Sequence, residues 1–149
     1  MLVQQILRMK GDDDVVTLKM SSSLKEASDL LTSRKIGTVV ISEDGEIPLG
    51  ILSERDIVHA VSKDGEASLT RPITKYMTSK VITCNRGETA DKILTIMTDR
   101  RIRRMPVIED NKMIGIITIG DVVKSRLLEL SREKEALQEM IAGLSLIHI

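Results

Sequence analysis

Aromatic side chains are all but missing. Tyr76 is the only one in 149 residues, with no Trp and no Phe. The core must therefore be Ile, Leu, Val and Met, and any flat ligand must be gripped between aliphatic side chains, without ring stacking. Cysteine appears once, at Cys84. That excludes an internal disulfide and a cysteine-rich metal site, and points to a reducing compartment. Net charge is absent too: 22 basic residues balance 22 acidic ones, so no global field draws the chain to nucleic acid or to a membrane. No apolar run approaches the ~20 residues of a membrane span. Residues 1–10 hold too short an apolar stretch for a signal peptide. The expected location is the cytoplasm.

What is present occurs twice. Gly50-Ile51-Leu52-Ser53-Glu54-Arg55-Asp56 and Gly115-Ile116-Ile117-Thr118-Ile119-Gly120-Asp121 share one pattern. Each has a glycine, two aliphatics, a hydroxyl residue, two variable positions and an aspartate. A short apolar run of this kind is a buried strand, and the residues after it carry helical spacing. Ser53 or Thr118 then serves as N-cap, with the aspartate in the first turn. Upstream segments repeat in register. Val16 matches Ile82, Thr17 matches Thr83, Ile36 matches Ile102 and Ile41 matches Val107, at an offset of 66. One residue is lost in a turn, and Gly50 then matches Gly115. A duplicated β-α-β-β-α unit follows, its two copies packed as a pseudo-twofold pair in an α+β fold.

In chain order, residues 1–10 read as a short amphipathic helix stopped at Gly11. Strands are expected at 15–18, 38–41, 49–52, 81–84, 105–108 and 113–117. Ser23-Leu24-Lys25-Glu26 is a capping box opening a helix that ends near Lys35, and Thr89 caps its counterpart. Residues 43–46 and 109–112 are turns. A single long helix should run from 122 to 142, with Gly143 as its stop. The divisions are a first repeat with the N-terminal helix (1–70), a second repeat (71–130) and a tail helix (131–143). Residues 144–149 read as foreign read-through sequence; they are set aside, and His148 with them.

These paired corners resemble a tandem pair of cystathionine-β-synthase (CBS) domains, a Bateman module. So do Ile36-Gly37-Thr38-Val39-Val40, Ile102-Arg103-Arg104-Met105-Pro106-Val107 and Tyr76-Met77-Thr78. The layout is similar to small stand-alone bacterial CBS-pair proteins, and the likeness covers about residues 1–130. The resemblance implies a regulatory module that binds an adenosine ligand (AMP, ATP or NAD) in clefts between the repeats. It also implies a homodimer acting on an unidentified regulated protein, with no obligatory cofactor. One cleft would hold Asp56 with Ser53, Thr83, Arg104, Met105 and Pro106, and Arg55 lies beside it. The other would hold Asp121 with Thr118, Thr17, Thr38 and Val39. An aspartate in a helix's first turn can accept hydrogen bonds from ribose hydroxyls, and free helical amides suit phosphate oxygens.

Plainer roles compete for the same residues. Ser-x-x-Asp and Thr-x-x-Asp cap helices whether or not a ligand binds. Arg100-Arg101-Ile102-Arg103-Arg104 is a solvated helix end, a phosphate-capturing cluster or, least consistent with zero net charge, a nucleic-acid contact. No catalytic constellation is present: no Gly-x-Ser-x-Gly elbow surrounds Ser53. Asp12-Asp13-Asp14 lacks the alternating spacing of a calcium loop. His59 and Cys84 are too few to hold a metal. An enzyme is not expected. The alternative from another class is a ligand-free interaction scaffold using the tail helix and the dimer surface.

Overall fold

The computed structural model describes residues 1–11 and 15–147. Asp12-Asp13-Asp14 and His148 lie outside the described residues. Helix α1 (Val3–Lys10) leads into strand β1 (Thr17–Leu18), helix α2 (Leu24–Arg34), strands β2 (Thr38–Ile41) and β3 (Gly50–Ser53), and helix α3 (Glu54–Asp64). Two 3-10 turns, Gly65–Thr70 and Ile73–Lys75, form the linker. Helix α4 (Ala90–Arg100), strands β4 (Arg104–Glu109) and β5 (Lys112–Thr118) and helix α5 (Ile119–Ile147) complete the second unit. This is the expected α+β pair of repeats with a C-terminal helix.

The duplication extends to the helix ends. Ser23 Oγ accepts from the Glu26 amide (3.1 Å) and Thr89 Oγ1 from the Lys92 amide (3.2 Å), so each hydroxyl satisfies a first-turn donor. Both helices close on a left-handed residue, Lys35 and Arg101, each at φ 55°. Their buried faces repeat as well: Leu24, Ala27 and Leu31 on α2, Ala90, Ile93 and Met97 on α4. In the first unit β1 runs parallel to β2, and β2 antiparallel to β3. In the second, β4 and β5 form an antiparallel hairpin with a bulge between Val107 and Ile108. Its two-residue turn places Asp110 and Asn111 at φ 51° and 64°, a conformation these short polar side chains tolerate.

Three expectations are corrected. Residues 81–84 do not form a strand; Cys84 alone makes a parallel bridge to Val107, with its amide on the Pro106 carbonyl (3.0 Å). Asn85 and Gly87 turn the chain immediately afterwards, leaving no room for a ladder. Gly143 does not stop α5, which runs on to Ile147. The glycines that end α1 and α3, Gly11 and Gly65, do so at positive φ, and Gly143 does not have a positive φ. The N-terminal helix, grouped by sequence with the first repeat, packs instead in the second. Val3 and Ile6 are buried there with Ile93, Met97, Met105 and Ile117.

The linker repays this crossing. Ile73 is buried in the first unit among Leu24, Leu31 and Leu52. The Ile73 amide donates to Ser22 O and the Val3 amide to Glu88 O, both at 2.9 Å. Each unit is thus completed by the segment preceding the other one's helix pair. The corner glycines carry the same relation: a Cβ on Gly50 would meet Met77 Sδ at 2.6 Å, and on Gly115 Leu7 Cδ2 at 2.9 Å. Between the units, Val40, Met113 and Ile116 form a shared apolar patch with Val15, Ile51 and Ile108 around it.

Ile6→Ala and Ile73→Ala should each cost about 2–5 kcal/mol in urea unfolding, as buried isoleucine truncations do. A loss below ~1 kcal/mol for both would show that these crossing segments are not part of the cores.

Candidate functional site

Each corner is a strand that becomes a helix with no loop between. At the first, the Asp56 amide donates to Ser53 Oγ (3.2 Å), while Ser53 N (2.8 Å) and Ser53 Oγ (3.0 Å) both donate to Asp56 Oδ2. At the second, the Asp121 amide donates to Thr118 Oγ1 (3.1 Å) and Thr118 N to Asp121 Oδ2 (2.9 Å). The hydroxyl and the carboxylate therefore satisfy each other's backbone donors, the reciprocal cap that a helix start requires. Every one of these carboxylate contacts is made by Oδ2. Capping thus occupies one oxygen of each aspartate, and capping and ligand binding do not exclude one another.

The second corner has a cation on it. Lys10 Nζ pairs with Asp121 Oδ2 at 2.8 Å and donates to the Ile116 carbonyl at 2.8 Å. Burial by itself pushes the Asp121 carboxyl up. The Lys10 ammonium and the Thr118 donors outweigh it and hold the group below the ordinary aspartate value. Lys10 also lines a cavity of about 720 Å³, whose other walls include Leu7, Val16, Ile36, Gly115 and Ile116. Arg8, Arg34, Arg86 and Arg104 face the same space. The volume lies in the range of small-ligand clefts.

The strand register rearranges the expected clefts. Arg104 pairs with Thr118 across β4 and β5, and Thr38 with Ser53 across β2 and β3. Arg104 therefore belongs with the Asp121 corner, where it lines the cavity and feels the Asp121 charge. Thr38 belongs with the Asp56 corner. The resemblance implies the opposite partition, Arg104 with Asp56 and Thr38 with Asp121; the register shows only which strand residues lie opposite each corner. Thr17 sits at the β1 edge opposite Val40, and Val16 and Ile36 beside these threonines reach the cavity. Val39 and Met105 are buried in the two unit cores at 1% and 0% exposure, since alternation along a strand turns every second side chain inward. They can offer a ligand only backbone groups. Pro106 is buried, Thr83 is exposed, and Arg55 points to solvent from the first turn of α3.

Asp56 lines a second, smaller cavity of about 310 Å³ with His59, Lys63, Asp64, Lys75 and Tyr76. The lone aromatic is fixed there: Tyr76 donates to Asp64 Oδ2 (2.8 Å) and accepts from Arg71 Nη1 (3.2 Å). Its hydroxyl and Arg71 hold the Asp64 carboxyl below its ordinary value against desolvation. Sequence reasoning missed Lys10, Arg8, Arg34 and Arg86. Nothing in their spacing marks them; only the crossing of α1 into the second unit brings them together. Cys84 is buried, and burial pushes its thiol up to about 12, so it is an inert apolar filler at neutral pH. Among the described residues no cluster of metal-ligating side chains is present, and no helix is long and apolar enough to cross a membrane.

Comparison with known proteins gives one consistent answer. The family model described as "CBS domain" matches twice, over residues 6–63 and 73–127. The crystal structure of the CBS-domain containing protein ATU1752 from Agrobacterium tumefaciens is 43% identical, with a TM-score of 0.79, covering 85% of this chain and 99% of that one. The CBS domain pair of protein MJ0100, in complex with 5′-methylthioadenosine and S-adenosyl-L-methionine, is 27% identical with a TM-score of 0.71, covering 88% and 98%. The mitochondrial CBS domain-containing protein CBSX3 of Arabidopsis thaliana is 30% identical over 148 residues, covering 95% of this chain and 72% of its own length.

Asp121 keeps its charge to lower pH when folded than when unfolded. Its contribution to stability is therefore complete above the ordinary aspartate pKa of about 3.9, and is lost as pH falls through the lower folded value. Asp121→Asn should accordingly be less stable than the natural protein at pH 7, with the gap closing as pH falls below the ordinary aspartate value in urea unfolding. An equal gap above and below that value would contradict this assignment.

Proposed function

The chain belongs to the CBS domain family as a tandem pair, a regulatory module, and from that premise we propose that it is an adenosine-ligand sensor. The single observation behind this reading is the Asp121 corner. The carboxylate in the first turn of α5 is paired with Lys10, and Lys10 lines a ligand-sized cavity whose walls combine aliphatic strand residues with cationic side chains. Val16, Ile36 and Ile116 supply flat apolar surfaces in a chain with almost no rings. The adenine would lie between them, the ribose hydroxyls on Asp121, and the 5′ substituent towards the arginines. The solved relative in complex with two adenosine compounds supports this ligand class. AMP, ATP and NAD are the candidate members. Binding, with no reaction, is the proposed activity, and a soluble cytoplasmic protein is the proposed setting.

The output would be a change in how copies of the chain pair. Val58 and Val61 on α3 and Val123, Leu127 and Leu130 on α5 are exposed apolar side chains. Val58 and Val123 occupy matching positions of the two repeats, so the surface has the pseudo-twofold character that a second copy can complement. Both helices start at the proposed ligand aspartates. A ligand that favours one position of these helices would shift the dimer only by its differential affinity for the two arrangements. A second reading, a ligand-free scaffold, is favoured by the exposed Leu137, Met140 and Ile141 further along α5.

Thermal unfolding separates the two. A sensor at 100 times its Kd gains about 2.7 kcal/mol from the ligand, and Asp121→Ala should abolish that gain at the larger cavity. No stabilisation by any adenosine compound would favour the scaffold. In sedimentation, Leu127→Glu should convert a dimer to a monomer; an unchanged mass would remove this surface from the interface.

A further inference from the structure

We infer that the second half of α5 winds in parallel around α5 of a second copy of this chain, as a short two-stranded coiled coil whose register is set by Lys134. Every residue from 131 to 142 is exposed, so this part of the helix is buried against nothing among the described residues. A helical segment of that length is marginal in water by itself. Its apolar residues nonetheless keep a strict order. Val123, Leu127, Leu130, Leu137 and Ile141, with Lys134 in the middle, are spaced alternately by four and three residues. That is the heptad pattern a second helix covers. None of the five is covered: their exposure runs from 44% at Val123 to 62% at Leu127 and Ile141.

This stripe is not the face that α5 turns to its own unit. That face is made by Val122 and Ser125, each 1% exposed, and by Arg126 and Glu129, which reach Asp91 and the amino group of Met1. With about 3.6 residues per turn, the two faces lie about a quarter turn apart. Charge identifies the occupant. Leu127, Lys134 and Ile141 take the a positions, and Val123, Leu130 and Leu137 the d positions; leucine at d suits two strands. In a parallel pair the a positions face each other, so two Lys134 ammonium groups meet in the seam and each needs an anion. Glu133 stands at the preceding g position, flanking the seam, and each Lys134 can pair with the partner's Glu133. An antiparallel pair would set each lysine against Leu130 or Leu137, with no such carboxylate. A single lysine in an apolar seam costs stability and fixes register, and this helix carries both the lysine and the group that neutralises it. Val123 starts the stripe on the surface already proposed for pairing, so the tails meet at high effective concentration once the units have met. The inference rests on that dimer reading and is independent of the ligand.

Disulfide trapping and sedimentation of the full chain test this. Cys84 is buried, with its thiol pushed up to about 12, so an introduced cysteine reacts alone. Leu137→Cys, in the seam, should link two copies on the order of tenfold faster under mild oxidation than Glu139→Cys on the outer face. Leu137→Asp and Ile141→Asp should each weaken the dimer on the order of tenfold, and both sites are exposed, so neither change unfolds the chain. Glu133→Lys should weaken it too, and Glu133→Lys together with Lys134→Glu should restore it. Equal linking at 137 and 139, or a dimer indifferent to both aspartate substitutions, would overturn the coiled coil and leave the stripe to another protein. Pairing through α3 and the start of α5 would then still stand. No rescue by the double exchange would overturn the register. A monomeric natural protein would overturn both the coiled coil and the dimer reading.

Discussion

A helix that starts directly from a strand has no loop in which to satisfy its first amides. In this chain the requirement is met by one side-chain pair, a hydroxyl and an aspartate three residues apart, bonded reciprocally to each other's backbone. Much of the structure depends on that small knot. It fixes where β3 and β5 end and where α3 and α5 begin. It holds a carboxylate at a defined place in the first turn of each helix. Because only Oδ2 is committed to the cap, the fold-determining group is available for recognition as well. In the proposed function, stability and ligand binding would be carried by the same residue, with different oxygens.

The second constraint is the crossing of the two units. Neither repeat closes its own core: α1 fills the second and Ile73 fills the first. The glycines that open the corners exist for this reason, since Met77 and Leu7 press where a side chain would be. One consequence is that the segment before each unit is placed against the corner of the other. At the second corner that segment ends in Lys10, and the cationic cavity is a direct product of the crossing. At the first it ends in the exposed Lys80, and the space beside Asp56 is instead organised by Tyr76, Asp64 and Arg71. Two sites built from one pattern are therefore chemically unequal.

The local architecture was largely legible from residues alone. The caps at Ser23, Thr89, Ser53 and Thr118, the apolar faces of α2 and α4 and the two hairpin turns are short-range features, written in spacing and side-chain chemistry. The offset between the repeats made them mutually confirming. What escaped was long-range. Residues 81–84 have the β-branched composition of a strand, but a strand exists only by pairing, and a single bridge at Cys84 is all the neighbourhood provides. Gly143 reads as a stop from composition, while the backbone there stays helical. The resemblance groups Arg104 with Asp56 and Thr38 with Asp121, whereas the antiparallel register sets Arg104 opposite Thr118 and Thr38 opposite Ser53, a pairing that no local spacing encodes. Lys10 carried no signal, because its importance arises from where a crossing helix ends.

The asymmetry between Ser53-Glu54-Arg55-Asp56 and Thr118-Ile119-Gly120-Asp121 runs opposite to what their own charges imply. Arg55 points away to solvent, and the corner with a glycine in its place borders the cationic cavity. The charge comes from elsewhere in the chain. The central claim is that Asp121 receives a ribose in that cavity, and a crystal structure of the protein grown with ATP tests it most directly. The account predicts the ribose hydroxyls on the Asp121 carboxylate and adenine between Val16, Ile36 and Ile116. Nucleotide bound elsewhere, with no ligand contact to Asp121, would contradict it.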